Sequence, residues 1–144
     1  MSIEDHRGPH DVELVGPVTA TLYASSSAPD TDFFVTLVDV RPDGYAHNLL
    51  EAGVRGRHRT PGDLSMLEPG TVYALELNLQ NACHVVLAGH RLRVHVTSSE
   101  FPRFDRNANR GAPIGTDTEL ATADQTVFHD AEHPSRIVVP VVPR

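Results

Sequence analysis

The sequence has no tryptophan, no lysine and only one cysteine, and each absence removes a class of chemistry. With Cys83 alone, the chain can form neither an internal disulfide nor a zinc or iron–sulfur site built from several thiolates. Since all 12 basic residues are arginine, no lysine is present to form a Schiff base or to hold phosphate in a P-loop. The sequence also lacks an apolar run of about 18 residues, the length that a transmembrane helix requires.

The charge balance argues against two kinds of partner. Acidic residues outnumber basic residues 19 to 12, which gives a net charge of −7 with histidine neutral. Such a field repels phosphate backbones and anionic lipids, so we expect neither a nucleic acid nor a membrane as partner. The first ten residues lack the apolar core of a signal peptide, and a single cysteine suits a reducing compartment, so we expect a cytoplasmic location.

The pattern of apolar residues predicts an all-β fold. The chain of 144 residues is long enough for one domain, and its 10 glycines and 11 prolines separate short runs rich in valine and threonine. In residues 91–97, Leu92, Val94 and Val96 alternate with polar side chains and are expected to face the core. The sequence therefore predicts a β-sandwich or barrel in which any helix is a single turn. Strands are predicted over residues 18–23, 33–40, 45–50, 53–59, 71–79, 91–97, 126–129 and 136–140.

Two stretches do not fit this strand pattern. Residues 80–89 have no clear periodicity and receive no assignment. Residues 101–124 form a long polar segment rich in Asn, Gly and Pro, and loops of that length in compact domains are commonly functional or dock on a partner. Between the strands at 33–40 and 45–50, the step Pro42-Asp-Gly44 predicts a tight hairpin turn.

The search for catalytic and metal-binding patterns gives no candidate residues. The sequence lacks the Gly-x-Ser-x-Gly turn that presents a nucleophilic serine. Nine histidines are present, and the pairs His6/His10 and His129/His133 have the spacing of ligands on a helix. Neither pair lies in a predicted helix, so we predict exposed or hydrogen-bonded histidines instead of metal ligands. No catalytic residue, no metal site and no cofactor are predicted.

Two polar patterns leave alternatives open. Asp105-Arg-Asn-Ala-Asn109 resembles the start of a calcium-binding loop, but Arg110 and Thr116 replace the glycine and glutamate that such a loop needs. Side chains that cap their own backbone are therefore favoured over a bound cation. The alternation of Arg55, Arg57 and Arg59 predicts one face of a strand, either an anion-binding or docking stripe or a solvated face paired with carboxylates.

Five motifs in one order point to a family. They are Asp11-Val-Glu-Leu-Val-Gly-Pro-Val18, Ala28-Pro-Asp-Thr-Asp-Phe33, Leu37-Val-Asp-Val-Arg-Pro-Asp-Gly44, Leu87-Ala-Gly-His-Arg-Leu-Arg-Val94 and Ser98-Ser-Glu-Phe-Pro-Arg-Phe-Asp-Arg-Asn107. Together they resemble the C-terminal domain of the X-Pro dipeptidyl-peptidase and cocaine-esterase family of serine hydrolases. The resemblance implies a jelly-roll β-sandwich of the galactose-binding-like type over residues 11–144, after a flexible segment at residues 1–10.

The resemblance also implies a role without catalysis. In that family the catalytic serine, aspartate and histidine belong to an α/β-hydrolase domain that precedes this one, so none is carried over to this sequence. The expected role is to pack against that domain, in the same chain or as a separate chain, to complete the wall of the active-site region and to aid assembly of an oligomer. The sequence is compatible with a piece of a longer hydrolase and with a free-standing copy of the domain.

The predicted docking loop lies at the start of the long polar segment. Phenylalanine offers apolar area and arginine offers fixed bidentate geometry, a combination typical of interface anchors. Equally, Arg103, Asp105 and Arg106 could tie this loop to its own sandwich. The candidate docking residues are Phe101, Arg103, Phe104, Asp105, Arg106 and Asn107.

Two other functions stay open. Galactose-binding-like folds often bind carbohydrate on aromatic platforms, so the chain could be a free-standing carbohydrate- or ligand-binding module. The absence of tryptophan and the presence of only three tyrosines reduce the number of such platforms. An independent enzyme that uses histidine and aspartate is the third possibility, since fold analogy alone does not exclude it.

Overall fold

The computed structural model describes residues 2–5 and 10–143, and in this part almost all regular structure is β. The strands form two sheets in which every pair is antiparallel, so the predicted all-β sandwich is confirmed. The jelly-roll and galactose-binding-like terms stay predictions. The elements are β1 (Ser2–Asp5), β2 (Val12–Ser26), β3 (Asp32–Val40), β4 (Ala46–Arg55), a single-turn 3₁₀-helix (Gly56–His58), β5 (Tyr73–Val86), β6 (Arg91–Thr97), β7 (Gln125–Phe128) and β8 (Arg136–Val138).

The core lies between the two sheets. The first sheet has the strand order β1-β6-β3-β4, and the second has β5-β2-β7 with β8 also paired to β2. Strand β3 is buried along its whole length, whereas β2 and β5 alternate between buried and more exposed positions. The predicted inner face of β6 is confirmed, because Leu92, Val94 and Val96 pack against the core. Fully buried side chains at its centre include Leu14, Val18, Val35, Leu37, Leu75 and Leu79.

The turns explain why the sequence predicted one hairpin correctly and gave no assignment to residues 80–89. The predicted hairpin at 42–44 is confirmed: Gly44 has a φ of +90° and its N–H donates to the carbonyl of Arg41. The unassigned stretch 80–89 is mostly strand, because β5 continues to Val86. Its alternation is interrupted at Gln80, which has a φ of +74°, beside the register shift between Pro17 and Thr19 of β2.

One strand prediction is wrong. Instead of two strands at 45–50 and 53–59, the structure has β4, which ends at Arg55. The chain then turns out of the sheet because the Gly56 N–H donates to the Thr31 carbonyl and the Arg57 N–H donates to the Asp30 carboxylate. Arg55, Arg57 and Arg59 therefore do not share one face of a strand.

A buried carboxylate joins the two sheets at the end opposite to this turn. The Asp39 carboxylate of β3 is hydrogen-bonded to His84 Nε2 of β5 at 3.0 Å and to His90 Nδ1 of the β5–β6 turn at 2.8 Å. Since each carboxylate oxygen has an imidazole partner, the polar group is satisfied where the sandwich closes. None of the helices in residues 2–5 and 10–143 is long and apolar enough to cross a membrane.

The N-terminal prediction concerns residues that are only partly described. Ser2–Asp5 forms strand β1, which pairs with β6. Residues 1 and 6–9 lie outside the described residues, so the predicted flexibility of residues 1–10 stays a prediction. His6 of the His6/His10 pair is among them.

On the outer side of the first sheet, an aromatic ring lies directly over a glycine. Phe34 of β3 is opposite Gly53 of β4, and a Cβ added at Gly53 would meet the Phe34 ring at 2.3 Å. Phe34 is nevertheless buried, because a loop residue, Phe104, packs against it with ring centroids 5.1 Å apart. The missing side chain at position 53 is thus what lets this ring lie flat against the sheet.

We predict that Gly53→Ala lowers the free energy of unfolding by about 1–3 kcal/mol, because the added methyl group overpacks the Phe34 ring. Urea unfolding followed by circular dichroism measures the change. Phe34→Leu provides the control background. In that background Gly53→Ala should lower the free energy of unfolding by less than it does in the original chain, because the ring that the methyl group meets is gone. A Gly53→Ala variant as stable as the original chain would contradict this packing.

Candidate docking surface

Two buried carboxylates lie at the start of β3, where the β2–β3 loop enters the sheet. Asp30 is 0% exposed and Asp32 is 4% exposed. Arg57 Nε donates to Asp30 Oδ2 at 2.7 Å, and Arg55 binds both oxygens of Asp32 at 2.8 and 3.0 Å. The hydrogen bond to Asp32 raises the pKa of the Arg55 guanidinium, so Arg55 stays charged. Buried acids of this kind are tolerated only when their charge is matched and their oxygens are bonded.

The same carboxylates hold the long polar segment. Asn107 Nδ2 donates to Asp30 Oδ2 at 3.0 Å and to Asp32 Oδ1 at 2.8 Å. Arg57 Nη1 donates to the Ala112 carbonyl at 2.7 Å, which adds a second attachment five residues later. The segment that the sequence predicted as a loop is therefore fixed to the sandwich by buried, charge-assisted hydrogen bonds.

The capping interpretation of Asp105–Asn109 agrees with these contacts. Asn107 Oδ1 accepts the Asn109 N–H at 2.9 Å, and Asn109, with a φ of +63°, donates from Nδ2 to the Ala121 carbonyl at 2.8 Å. The Asn107 amide oxygen and the Asn109 amide are thus used inside the loop, whereas Asn107 Nδ2 binds the buried acids. Within the described part of the chain, no group of three or more His, Cys, Asp or Glu side chains is arranged to hold a metal ion.

We call the group Asp30, Asp32, Arg55, Arg57 and Asn107 the clamp. Large apolar side chains around it face solvent. Two open clefts lie among these side chains. One of about 290 Å³ is lined by Phe34, Phe104 and Ile114, and one of about 300 Å³ is lined by Ile114 and Leu120. Exposed apolar patches of this kind typically mark interaction sites. We define the docking surface as Leu64, Met66, Phe101, Phe104, Ile114 and Leu120, which are 42–70% exposed.

The two predicted phenylalanines contribute to this surface in different ways. Phe101 is 60% exposed, and the guanidinium carbon of Arg106 lies 5.0 Å from its ring centroid. Phe104 is 42% exposed and rests on Phe34, so one of its faces is already packed. Both rings therefore present apolar area that the sandwich itself does not cover.

The four polar residues of the predicted loop do not all have the same role. Two tie the loop to its own sandwich, and two are left exposed, as anchors for a partner would be. Arg103 forms an ion pair with Glu51 of β4, and Asn107 binds the buried acids, so both tie the loop to its own sandwich. Asp105 and Arg106 are exposed and make no hydrogen bond or ion pair within the described residues. The charge of Asp105 acts on Arg55 without contact.

Several residues of the site were missed in the sequence. Asp30 and Asp32 were named in the family motif but were not predicted as site residues. Two acids next to the apolar run Phe33-Phe-Val nevertheless indicate buried, paired charge. Leu64, Met66, Ile114 and Leu120 had no such signal. Single apolar residues in loops are ordinary, and only the fold brings these four to one end of the sandwich.

The histidines do not form a serine-hydrolase arrangement in the part of the chain that the structure describes. His84 and His90 bind Asp39, and His133 lies 3.4 Å from Asp130. Among residues 10–143, no serine or threonine hydroxyl is hydrogen-bonded to any of these imidazoles. His129 forms a β-bridge with Pro134, so the His129/His133 spacing does not place two ligands on one helix face.

We predict that Asn107→Asp destabilises the chain by about 3 kcal/mol or more at pH 7, because it sets a third carboxylate against two buried ones. Asn107→Ala, which only removes the amide, should cost about 1–3 kcal/mol. The deficit of Asn107→Asp should shrink as the pH falls, since a protonated carboxyl group is neutral and can donate as the amide does.

Urea unfolding at pH 7 and at lower pH tests this, with Asn48→Asp on the exposed part of β4 as the matched control for added charge. Equal stability of the Asn107→Asp and Asn48→Asp variants at pH 7 would show that Asn107 does not bind the buried acids.

Comparison with known sequences supports a family assignment. The family model described as the X-Pro dipeptidyl-peptidase C-terminal non-catalytic domain matches residues 7–138. The cocaine esterase of Rhodococcus sp. strain MB1 Bresler is 43% identical over 136 residues, which cover 92% of this chain and 24% of that protein. A putative serine esterase of Mycobacterium bovis is 26% identical, with 92% of this chain and 22% of that protein covered.

Solved structures give the same result. An aminopeptidase from a marine sediment archaeon (Thaumarchaeota) superposes with a TM-score of 0.92 at 29% identity, over 99% of this chain and 26% of that one. An α-amino acid ester hydrolase superposes with a TM-score of 0.91 at 30% identity, over 99% of this chain and 25% of that one. The chain thus spans about a quarter of the length of these relatives. Because the family match covers most of its residues, this chain belongs to the family of X-Pro dipeptidyl-peptidase C-terminal non-catalytic domains.

Proposed function

We propose that this domain serves a serine hydrolase by packing, through the docking surface, against an α/β-hydrolase domain. The observation that carries the proposal is the gathering of six exposed apolar side chains around a buried, charge-matched clamp at one end of the sandwich. A loop held this firmly, yet leaving large apolar groups in water, is arranged for a partner and not for its own core.

The lengths of the relatives support the choice of partner. This chain covers 24% of the cocaine esterase and 26% of the archaeal aminopeptidase, so most of each relative lies outside the part that resembles this domain. The names of the relatives describe hydrolysis of esters and of peptide bonds. The parent reaction that we propose is accordingly acyl ester or dipeptidyl-peptidase hydrolysis, with its catalytic residues in the hydrolase domain.

The exposed apolar area favours such a role. Covering a phenylalanine or leucine side chain contributes about 1.5–3 kcal/mol, and the docking surface offers several that are less than half buried. Phe101 and Phe104 lie at the start of the long loop and present rigid rings, which makes them the expected anchors. A domain docked there would complete one wall of the hydrolase active-site region and could take part in oligomer assembly.

A chimera tests the proposal. In the Rhodococcus cocaine esterase, the C-terminal part that matches this domain is replaced by the 144-residue chain, and cocaine hydrolysis is followed during heating. We expect one cooperative loss of activity and structure, because docked domains stabilise each other. The double variant Phe101→Ala/Phe104→Ala should increase the rate of thermal inactivation roughly tenfold or more, as expected for losing anchor residues.

The matched control is Tyr45→Ala, an aromatic residue that is 54% exposed at the opposite end of the first sheet. It should leave the inactivation rate unchanged. Two independent unfolding transitions, or equal effects of the loop and control variants, would refute the proposed docking. If the chimera is insoluble, calorimetric titration of the separate chain into the hydrolase part decides, and absence of binding refutes the proposal.

A further inference from the structure

The arginines around the docking surface differ in one respect. Arg55 and Arg57 are paired with the buried acids Asp32 and Asp30, Arg103 is paired with Glu51, and Arg110 Nη1 lies 2.8 Å from Glu119 Oε2. Arg59 donates to the carbonyls of Gly56 and Ser65. Arg106, by contrast, makes no hydrogen bond or ion pair among the described residues, and its guanidinium lies over the Phe101 ring.

The stack sets which part of Arg106 is available. With its guanidinium carbon 5.0 Å from the Phe101 ring centroid, the cation lies within the range of a cation–π contact. A guanidinium carries five N–H donors, and a phenylalanine ring has no lone pair to accept them. Arg106 is thus held at the edge of the docking surface with its hydrogen-bonding capacity unused.

Its neighbour in sequence does not use that capacity. Asp105 is exposed and makes no ion pair with Arg106. Its carboxylate lines both clefts together with Arg55 and acts electrostatically on that guanidinium. Arg106 itself lines the second cleft beside Asp105 and Asp117, yet within the described residues it forms an ion pair with neither carboxylate.

We infer that the segment of the hydrolase domain that covers the docking surface carries a carboxylate opposite Arg106, in the rim beside Phe101. This inference rests on the proposed function and adds the chemistry of the partner. A guanidinium that loses water at an interface must find acceptors, or its burial opposes association. A carboxylate is the acceptor that matches its planar fork with two parallel hydrogen bonds.

Charge reversal in the same chimera tests the inference. Arg106→Glu should increase the rate of thermal inactivation of the chimera roughly tenfold or more, because two carboxylates would then face each other at the interface. Arg106→Ala should have a smaller effect of the same sign. In the separate 144-residue chain both variants should leave the thermal midpoint unchanged, since Arg106 is exposed there.

The matched control is Arg41→Glu. Arg41 is also exposed and lies 4.7 Å above an aromatic ring, that of Tyr45, but at the other end of the sheet. If Arg106→Glu and Arg41→Glu change the inactivation rate equally, the inference is overturned, while a large effect of the Phe101/Phe104 variant would still uphold docking. Reversal of acidic residues on the hydrolase part to arginine should include one that restores the Arg106→Glu chimera, and failure of all of them would also overturn it.

Discussion

The arrangement at this end of the molecule depends on two carboxylates buried at the start of β3. Asp30 and Asp32 are held by Arg57 and Arg55, and the amide of Asn107 joins the two acids from above. Acids without such partners could not stay charged in so enclosed a place. Because each partner comes from a different segment, satisfying the acids also fixes the 3₁₀-helix and the long loop on the sheet.

This electrostatic clamp separates two tasks that a loop usually combines. The polar atoms of Asn107, Asn109 and Arg57 face inward and are satisfied within the domain. The apolar side chains of the same loop and its neighbour therefore remain on the outside. A surface ordered before it meets its partner loses less conformational entropy on binding, so its apolar area is converted to affinity more efficiently.

The sequence predicted the sheets better than the surface, for physical reasons. Alternation and β-branched residues mark strands such as β6, whose limits and inner face were predicted correctly. The pattern was misleading at residues 53–59, where hydrogen bonds from Gly56 and Arg57 to the β2–β3 loop override local strand preference. Phe101 and Arg106 were identifiable as candidates because a phenylalanine and an arginine in a polar loop are residue types typical of interface anchors. Ile114 and Leu120 were not, since only tertiary contacts determine which isolated apolar residues meet.

The charged and polar side chains inside this domain hold its sheets and loops together. Its best carboxylate–imidazole arrangement, Asp39 with His84 and His90, lies at the other end of the sandwich and uses both carboxylate oxygens to join the two sheets. Near the docking surface, Arg55 and Arg57 are likewise occupied by the buried acids Asp32 and Asp30. Groups committed to holding sheets and loops together are poorly suited to exchanging protons with a substrate. A domain built in this way offers an ordered apolar surface with Arg106 at its edge, and in the function that we propose the reactive groups belong to the hydrolase domain.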